Sequence, residues 1–418
     1  MNIKTIKKEG YNLHLIKNKD FKTTLIKAIF WEKIRKEDLT LRNMLVNNLL
    51  FSSFNYPTLK KMAEKEEDLY GAHINGGTYR KGNYIFSEFL LSVIDDKYTE
   101  ENLVTDAISF FFDVLLNPNV KDDKFEENAF NIIYDKIKTI IESDRENPNY
   151  YSLMKYKSLL SKDKPFTYDI EGNLKDLEKI TPSNLYEYYQ TFLKTNNIDI
   201  FIIGDKVSKD LEKFLDKIFI LPKKISSKKE ELYLTYQKEY SKKEEKSNFN
   251  QSKLIMGGSL RKLSNYEKKY PALVYNIILG NSPNSKLFKN VREKHSFAYS
   301  ISSSINRLDG MFYVFAGISY ENYEATKKEV EKELNKMKNG KFTKQDMKSA
   351  KESLLSILKE IPDFQNAIVD SYFNNLYLDA DEVKEQIANI KKITKEDVIA
   401  IAKKIDIDTI FLLKEQEK

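Results

Sequence analysis

Two stretches of the chain carry the same pattern: LEKITPSNLYEYYQTFLKTNNIDIFIIGD at residues 177–205 and IKKITKEDVIAIAKKIDIDTIFLLKE at residues 390–415. Each has Lys-Ile-Thr, a helical segment, Ile-Asp and then an apolar run typical of a buried strand. Thr181 and Thr394 stand where a helix N-cap belongs, because a hydroxyl there accepts a hydrogen bond from a free backbone N–H. The duplication predicts two halves that are built alike.

Other segments repeat in the same order. Residues 72–95 and 297–319 each predict two strands joined by a polar, glycine-containing turn, and a helical pair follows each. Hairpins without strict strand–helix alternation favour an α+β fold of two tandem homologous domains, each a mostly antiparallel sheet with helices packed on one face. We place these domains at residues 1–222 and 249–418, with a linker rich in Lys, Glu and Ser at 223–248.

Composition excludes several classes of protein. The chain has no cysteine, so disulfides, zinc fingers and thiol catalysis are excluded. Lys and Arg number 69 against 63 Asp and Glu, and the signs alternate along helical stretches such as 325–340, which argues against a nucleic-acid-binding surface. The N-terminus lacks the apolar run of a signal peptide, and no stretch approaches the roughly 18 apolar residues of a membrane span. We therefore expect a cytoplasmic protein.

The stretch VREKHSFAYS at residues 291–300 places an arginine and a tyrosine seven residues apart at a predicted helix-to-strand turn. Ser282 or Asn284 could cap the helix, and Arg292 would lie in its last turn, where a cation suits the helix dipole. Taken alone, Arg292 could simply pair with a neighbouring acid, and Tyr299 could be an ordinary packing aromatic. A helix-to-strand turn could also aim both side chains into a cleft.

Several segments together resemble one family. The tandem halves, LGNSPNSKLFKNVREKHSFAYSISSS at 279–304 and NNIDIFIIGD at 196–205 resemble the pitrilysin/insulinase family of zinc peptidases. The likeness is closest to the bacterial branch similar to mitochondrial processing peptidases, and it covers nearly the whole chain. Residues 56–72 and 270–288 further resemble the non-catalytic bacterial members, which are often encoded beside an active partner.

Active members of that family carry His-x-x-Glu-His on the first long helix. Its two His ligate zinc, its Glu is the general base, and a second Glu some seventy-odd residues later completes the site. The resemblance places Met44, Asn47 and Asn48 at the three motif positions, and the distal ligand near residues 128–136, which contain no Glu. Glu126 and Glu127 directly precede this segment, so an alignment shifted by one turn would place a Glu there. The three motif positions therefore form a degenerate zinc motif.

The histidines lead to the same expectation without any alignment. His14, His73 and His295 are the only ones in the chain, and none lies within four residues of another. Asparagine amides are neutral and weak zinc ligands, and cysteine is absent, so a tetrahedral zinc site within this chain is not expected. We expect no cofactor bound by this chain and no peptide hydrolysis by it alone.

The family resemblance gives the arginine and tyrosine of the 291–300 stretch a role. It implies that Arg292 and Tyr299 contribute to a peptidase active site, where a phenol can stabilise a developing oxyanion and a guanidinium can bind substrate carbonyls. Neither residue supplies a nucleophile. We therefore expect a non-catalytic subunit of a heterodimeric zinc peptidase, acting in trans with a zinc-bearing homologous partner on peptides or unfolded segments. The alternative is a scaffold or peptide-binding protein with no part in hydrolysis.

Overall fold

The protein is described by a computed structural model that covers residues 3–205, 207, 209–222, 231–236 and 239–416. The chain divides into two compact units: a first unit of residues 1–143 and 168–231, and a second unit of residues 144–167 and 232–418. The domain boundaries at 222 and 249 stay a prediction. Part of the predicted linker, residues 223–230 and 237–238, lies outside the described residues.

The first 222 residues contribute eight of the strands and eight of the helices in the described part of the chain. The strands are β1 (Ile3–Lys7), β2 (Asn12–Lys17), β3 (Thr23–Lys33), β4 (Ile74–Lys81), β5 (Tyr84–Ile94), β6 (Val120–Lys121), β7 (Lys124–Phe125) and β8 (Asn197–Gly204). The helices are α1 (Leu39–Phe51), α2 (Leu59–Asp68), α3 (Leu103–Leu116), α4 (Glu127–Glu146), α5 (Pro148–Leu160), α6 (Leu174–Leu177), α7 (Pro182–Thr195) and α8 (Lys209–Ile218).

The remainder repeats this mixture of hairpins and helices. Its strands are β9 (Ser241–Lys246), β10 (Ser252–Ser259), β11 (Ser300–Asn306), β12 (Met311–Ile318) and β13 (Thr409–Lys414). Its α-helices are α9 (Asn265–Lys269), α10 (Pro271–Leu279), α11 (Tyr323–Lys338), α12 (Lys344–Glu360), α13 (Gln365–Tyr377), α14 (Val383–Lys392) and α15 (Lys395–Lys404). A π-helix spans Phe288–Lys294.

Each unit is built on one main sheet. In the first unit the strand order is β1-β2-β8-β3-β5-β4, and only the β2–β8 pair is parallel within the described strands. In the second unit the order is β11-β12-β10-β13-β9, with β13–β9 as the parallel pair. The predicted fold class, two mostly antiparallel sheets in tandem α+β domains, is confirmed.

Period-two alternation decides which side of each sheet packs against helices. In β10, Leu254 and Met256 belong to the core beneath the second unit's helices, whereas Ile255 faces the opposite side. Helix α5 covers that opposite side with Tyr156, which is fully buried. Gly257 permits this approach, because a Cβ there would lie 2.0 Å from the Tyr156 hydroxyl oxygen. The sequence did not predict that a helix from the N-terminal half packs in the second unit.

The duplicated segments at residues 177–205 and 390–415 have the predicted helix N-caps. The Thr181 hydroxyl accepts a hydrogen bond from the backbone N–H of Asn184 at 3.2 Å, and Thr394 does the same for Asp397 at 3.2 Å. The side chains of Asn184 and Asp397 accept in return from the cap backbone N–H groups, which completes a capping box at α7 and at α15.

Helix α1 is fixed to the first sheet by a buried charge. Arg42 is 1% exposed and donates to Ser87 Oγ at 3.1 Å, to Asn196 Oδ1 at 3.0 Å and to the Glu32 carboxylate. Its guanidinium also stacks 5.1 Å from the Phe192 ring centroid. A buried arginine is tolerated here because a carboxylate and two neutral acceptors replace its lost hydration. The residues that follow Arg42 on α1 are thereby held in one orientation.

Candidate functional site

The degenerate motif positions lie on the middle of α1. Met44 and Asn48 are 0% and 2% exposed, and Met44 belongs to the hydrophobic core of the first unit. Asn48 donates its amide N–H to the Met44 carbonyl oxygen at 2.8 Å, and its own Oδ1 has no partner among the described residues. Asn47 is half-buried and turns towards α4. The three positions thus offer one thioether and two neutral amides.

A cation already lies beside this helix. Lys136 on α4 donates from Nζ to Asn47 Oδ1 at 3.0 Å, and Asn47 Nδ2 donates to the Asn43 carbonyl at 2.9 Å. Asn43 in turn donates to Glu171 Oε2 at 2.7 Å. The Lys136 ammonium, 3.0 Å from Asn47 Oδ1, repels any divalent cation at the motif positions, and neutral amides are poor zinc ligands. The residues present therefore do not fit a zinc ion. The sequence analysis did not predict the contact between Lys136 and Asn47. The one signal for it is that Lys136 ends the 128–136 segment, where the distal zinc ligand was expected.

One of the two glutamates that directly precede the 128–136 segment has a local task. Glu126 accepts hydrogen bonds from the backbone N–H groups of Asn128 at 3.0 Å and Ala129 at 2.7 Å. These are free donors at the start of α4, so Glu126 satisfies the helix N-terminus. Within the described part of the chain no group of three or more His, Asp or Glu side chains is placed to hold a metal.

The three histidines lie in three separate places. His14 is fully buried on β2, with Nε2 2.9 Å from Asp199 Oδ1 and its ring stacked on Phe201. His73 lies 2.9 Å from a Glu66 oxygen on an exposed turn. His295 stacks on Phe297 with ring centroids 5.0 Å apart.

Arg292 lies in the last turn of its helix, as predicted, but that helix is a π-helix. Its cap also differs from the prediction: Ser285 Oγ accepts from the Phe288 N–H at 3.4 Å, whereas Ser282 Oγ donates to the Ile277 carbonyl. A π-helix leaves a wider turn and occurs frequently at functional sites. Phe288, one turn earlier, stacks under the Arg292 guanidinium at 4.7 Å.

The Arg292 guanidinium is exposed and has no ion pair with any described residue. The predicted alternative of a cation paired with a neighbouring acid is therefore not what the structure has. The buried acid on the neighbouring helix α11, Glu329, is engaged elsewhere. Burial raises the pKa of Glu329, but a hydrogen bond from Lys332 and the charges of Lys332 and His295 outweigh burial and hold this pKa below its ordinary value.

Tyr299 immediately precedes β11 and is 62% exposed. Its backbone N–H donates to the Gly317 carbonyl at 2.9 Å, and its hydroxyl lies 2.9 Å from Ser319 Oγ. Ser296, three residues earlier, has φ of 53°, a left-handed conformation that reverses the chain between the π-helix and the strand. The turn thus presents the phenol outwards, next to a second hydroxyl that the sequence did not indicate.

Both main sheets have an edge strand near these residues, in the strand order of the described part of the chain. In the first unit β4 is an edge strand and packs beside α1. In the second unit β11 is an edge strand and begins directly after Tyr299. An edge strand presents unpaired backbone N–H and C=O groups along one side, which can pair with an added strand. Each candidate group of residues therefore lies next to the edge strand of one main sheet.

Comparison with known proteins supports the family resemblance. Residues 179–354 match the family model described as Peptidase M16 inactive domain. The "Probable inactive metalloprotease YmfF" of Bacillus subtilis (strain 168) is 26% identical over 412 residues, which cover 98% of this chain and 96% of that protein. Both descriptions name a member of a peptidase family that is itself inactive.

Solved structures agree with this fold. The crystal structure of a conserved protein from Enterococcus faecalis V583 superposes with a TM-score of 0.92 at 26% identity and covers 100% of both chains. The peptidase M16 inactive domain from Pseudomonas fluorescens superposes with a TM-score of 0.78 at 20% identity, over 100% of this chain and 99% of that chain. At that lower identity the second likeness concerns the fold alone. In the described part of the chain, no helix combines the length and apolarity needed to span a membrane.

Proposed function

This chain is a non-catalytic homologue of the M16 (pitrilysin/insulinase) peptidases, and we propose that it is one subunit of a heterodimeric zinc peptidase. In that assembly a homologous partner carries the metal and the general base. This chain completes the peptide-binding cleft and supplies Arg292 and Tyr299 in trans. The observation that carries the proposal is the combination of an α1 unable to hold zinc with an exposed guanidinium that has no ion pair in the described part of the chain.

The exposure of both side chains supports this role. The Arg292 guanidinium lies over the face of Phe288, and no ion pair with Arg292 is formed among the residues that the structure describes. Tyr299 places an apolar ring in solvent, and its hydroxyl lies beside that of Ser319. Residues kept in such positions are well suited to contact a substrate, because little has to be displaced when it arrives.

The chemistry of the two groups is complementary. Tyr299 can donate its O–H to the oxygen of a peptide carbonyl as negative charge develops there, and Ser319 can hold the phenol oriented meanwhile. Arg292 stays charged and offers several donors in a fixed plane, which suits binding of backbone carbonyls. Neither group supplies a nucleophile, so both act only when the partner provides the metal and base.

Substrate binding through a sheet edge fits the same proposal. An extended peptide can hydrogen-bond to the edge strand β11 by adding a strand, and this mode selects unfolded segments over folded proteins. The substrates proposed are accordingly peptides and unfolded segments.

The proposal is tested by mixing this chain with a homologue from the same organism that carries His-x-x-Glu-His. Cleavage of a quenched fluorescent peptide is measured for each chain alone and for the mixture. We expect no cleavage by this chain alone and faster cleavage by the mixture than by the partner alone. Equal rates with and without this chain would overturn the role in hydrolysis.

The alternative of a peptide-binding scaffold is favoured by the same edge strand, β11. It differs in one measurable respect, because a scaffold binds peptide without changing the turnover of any zinc-bearing partner. Peptide binding with no effect on partner activity would support the scaffold function.

A further inference from the structure

A groove of about 590 Å³ lies among the helices of the second unit, between α12 and the turn that joins α14 to α15. Its floor is apolar, because it is formed by Met347 and Ile393, which are 9% and 3% exposed and belong to the hydrophobic core of this unit. Its walls carry two glutamates and four lysines, namely Lys344, Lys348, Lys351 and Lys395. We call this feature the α12 groove.

Two of the lysines hold the walls of the α12 groove in place. Lys351 donates from Nζ to the carbonyl oxygens of Lys391 at 2.6 Å and Ile393 at 2.9 Å, where α14 ends. Lys395 donates to the Phe342 carbonyl at 2.9 Å, and its ammonium lies 5.0 Å from the centre of the Phe342 ring. These contacts join α12 to the end of α14 and the start of α15 to the segment before α12. The α12 groove is therefore formed before any ligand binds, which lowers the cost of binding.

These contacts leave the positive charge of the α12 groove uncompensated. Carbonyl oxygens satisfy the ammonium N–H groups but carry no net charge, and Lys344, Lys351 and Lys395 form no ion pair within the described part of the chain. Lys348 lies 3.8 Å from Glu352, with side chains that are 66% and 61% exposed, and such a surface pair contributes little. Four lysines against two glutamates leave two unbalanced positive charges.

An apolar floor between unbalanced lysines fits an acidic peptide that also carries an apolar side chain. The apolar side chain loses water on the floor, and neighbouring carboxylates pair with lysines at the rim. Lys344 and Lys348 are exposed and four residues apart, so they lie on one face of α12 and suit carboxylates that are close in sequence. A nucleic acid would use the charge but not the floor, and it ordinarily needs a larger surface of one sign.

We propose that the α12 groove is a docking site for an acidic segment of a partner protein. One apolar side chain of the segment lies on Met347 and Ile393, and its carboxylates pair with Lys344 and Lys348. The groove supplies recognition and no chemistry. Its lining does not include the Arg292 and Tyr299 turn, so the inference goes beyond the proposed peptidase subunit and does not depend on it.

The test selects the ligand from a library, because the partner is unidentified. Phage that display short random peptides are selected on the immobilised full chain, and in parallel on the double variant Lys344→Glu/Lys348→Glu, which reverses the charge of the rim. We expect the unaltered chain to enrich peptides that combine Asp or Glu with Leu, Ile, Phe or Met. The double variant should not enrich them.

Fluorescence polarisation with the most enriched acidic peptide then gives Kd for each variant. Lys344→Glu/Lys348→Glu should weaken binding about 10-fold or more, because two attractive pairs become repulsive. Glu352→Gln removes an acid from the wall and should tighten binding about 2-fold. Lys328→Glu/Lys384→Glu is the matched control, because both are exposed helix lysines of the second unit outside the α12 groove, and it should leave Kd unchanged. Circular dichroism establishes that each variant is folded.

The apolar floor is tested on the peptide itself. Replacing its apolar residue by alanine should weaken binding about 10-fold, since the floor is then left unfilled. The proposal is overturned if no acidic peptide is enriched, if Lys344→Glu/Lys348→Glu binds the peptide as tightly as the unaltered chain, or if the alanine peptide binds equally well.

An anionic lipid surface is the remaining source of negative charge, and it is tested by sedimentation with phosphatidylcholine vesicles that contain phosphatidylserine. We expect no sedimentation that depends on Lys344 and Lys348. Vesicle binding that is lost in Lys344→Glu/Lys348→Glu would overturn the proposal in favour of a lipid ligand. None of these results bears on whether the chain accelerates a zinc-bearing partner, so the proposed function stands or falls by its own assay.

Discussion

The ammonium of Lys136 on α4 lies 3.0 Å from Asn47 Oδ1 on α1, at a position that the family resemblance assigns to a degenerate zinc motif. The positive charge beside α1 therefore belongs to a lysine side chain of the protein and not to a bound metal ion. Through Asn47 and Asn43 it is linked to Glu171, so polar contacts join α1, α4 and the loop before α6 in addition to their hydrophobic packing.

Zinc should have no measurable effect on this chain. Met44, Asn47 and Asn48 offer neither imidazole nor carboxylate, and Lys136 repels a divalent cation. We expect substoichiometric zinc after purification, by elemental analysis, and the same melting temperature with excess zinc as with a chelator. One equivalent of zinc that survives chelation would contradict the conclusion that these residues do not fit a zinc ion.

Loss of Arg42 should destabilise the first unit strongly. Arg42→Met leaves the Glu32 carboxylate buried without its partner, which costs about 3–5 kcal/mol, and Glu32→Gln in the same chain should recover part of that loss. Trp31 is the only tryptophan of the chain and lies on β3 of the first unit, so its fluorescence in urea follows this unit. Lys179→Met is the control, because Lys179 pairs with Asp176 at the surface of the same unit and should cost less than about 1 kcal/mol.

Replacement by alanine should change the stability of the first unit at only one of two adjacent glycines of the edge strand β4. A Cβ at Gly76 would lie 2.2 Å from the carbonyl oxygen of Glu88 on β5, so Gly76→Ala should cost about 1–3 kcal/mol by forcing the strands apart. Gly77→Ala meets nothing within 4 Å and should change stability by less than about 0.5 kcal/mol. Trp31 fluorescence in urea again gives both values; equal losses would mean that the spacing of β4 and β5 adapts.

Tyr299→Phe should lower kcat of the proposed heterodimer by about 10²–10³-fold with little change in KM, because the hydroxyl acts on charge that exists only in the transition state. Arg292→Ala should instead raise KM, since its contacts with substrate carbonyls are made before the reaction. Tyr266→Phe is the control: it removes a hydroxyl from another exposed tyrosine of the second unit. Subunit association is measured by size-exclusion chromatography, and loss of association in Tyr299→Phe would assign that residue to assembly.

The sequence predicted the fold because each of its signals was local. The Lys-Ile-Thr caps, the two hairpins and the apolar strands are short patterns, and each half repeats them, so one half supported the interpretation of the other. The packing of α5 on the outer side of the second sheet was not predictable in this way. It depends on Gly257 and Tyr156 meeting across about 100 residues, and neither residue carries a pattern of its own.

The candidate site was predictable to a different extent. Arg292 and Tyr299 were selected through the family resemblance, whereas their partners Phe288 and Ser319 became visible only in the structure. The π-helix has the same apolar spacing as an ordinary helix end, so the sequence could not distinguish them. Lys253 lies in the apolar stretch SKLIMGGS, and that stretch does not indicate that its outer side is covered.

The stability of the second unit should depend on pH through Lys253. Burial lowers the pKa of this lysine in the folded chain below its unfolded value of 10.5, so between the two values the folded state binds fewer protons than the unfolded state. The free energy of unfolding contributed by this group therefore rises with pH across that interval and is least favourable at neutral pH. Lys253→Met should stabilise the unit at pH 7, and the gain should shrink as the pH approaches 10.5. Far-UV circular dichroism in urea measures the difference between the two chains, with Trp31 fluorescence separating the transition of the first unit; a gain independent of pH would mean that Lys253 is neutral or solvated in the folded chain.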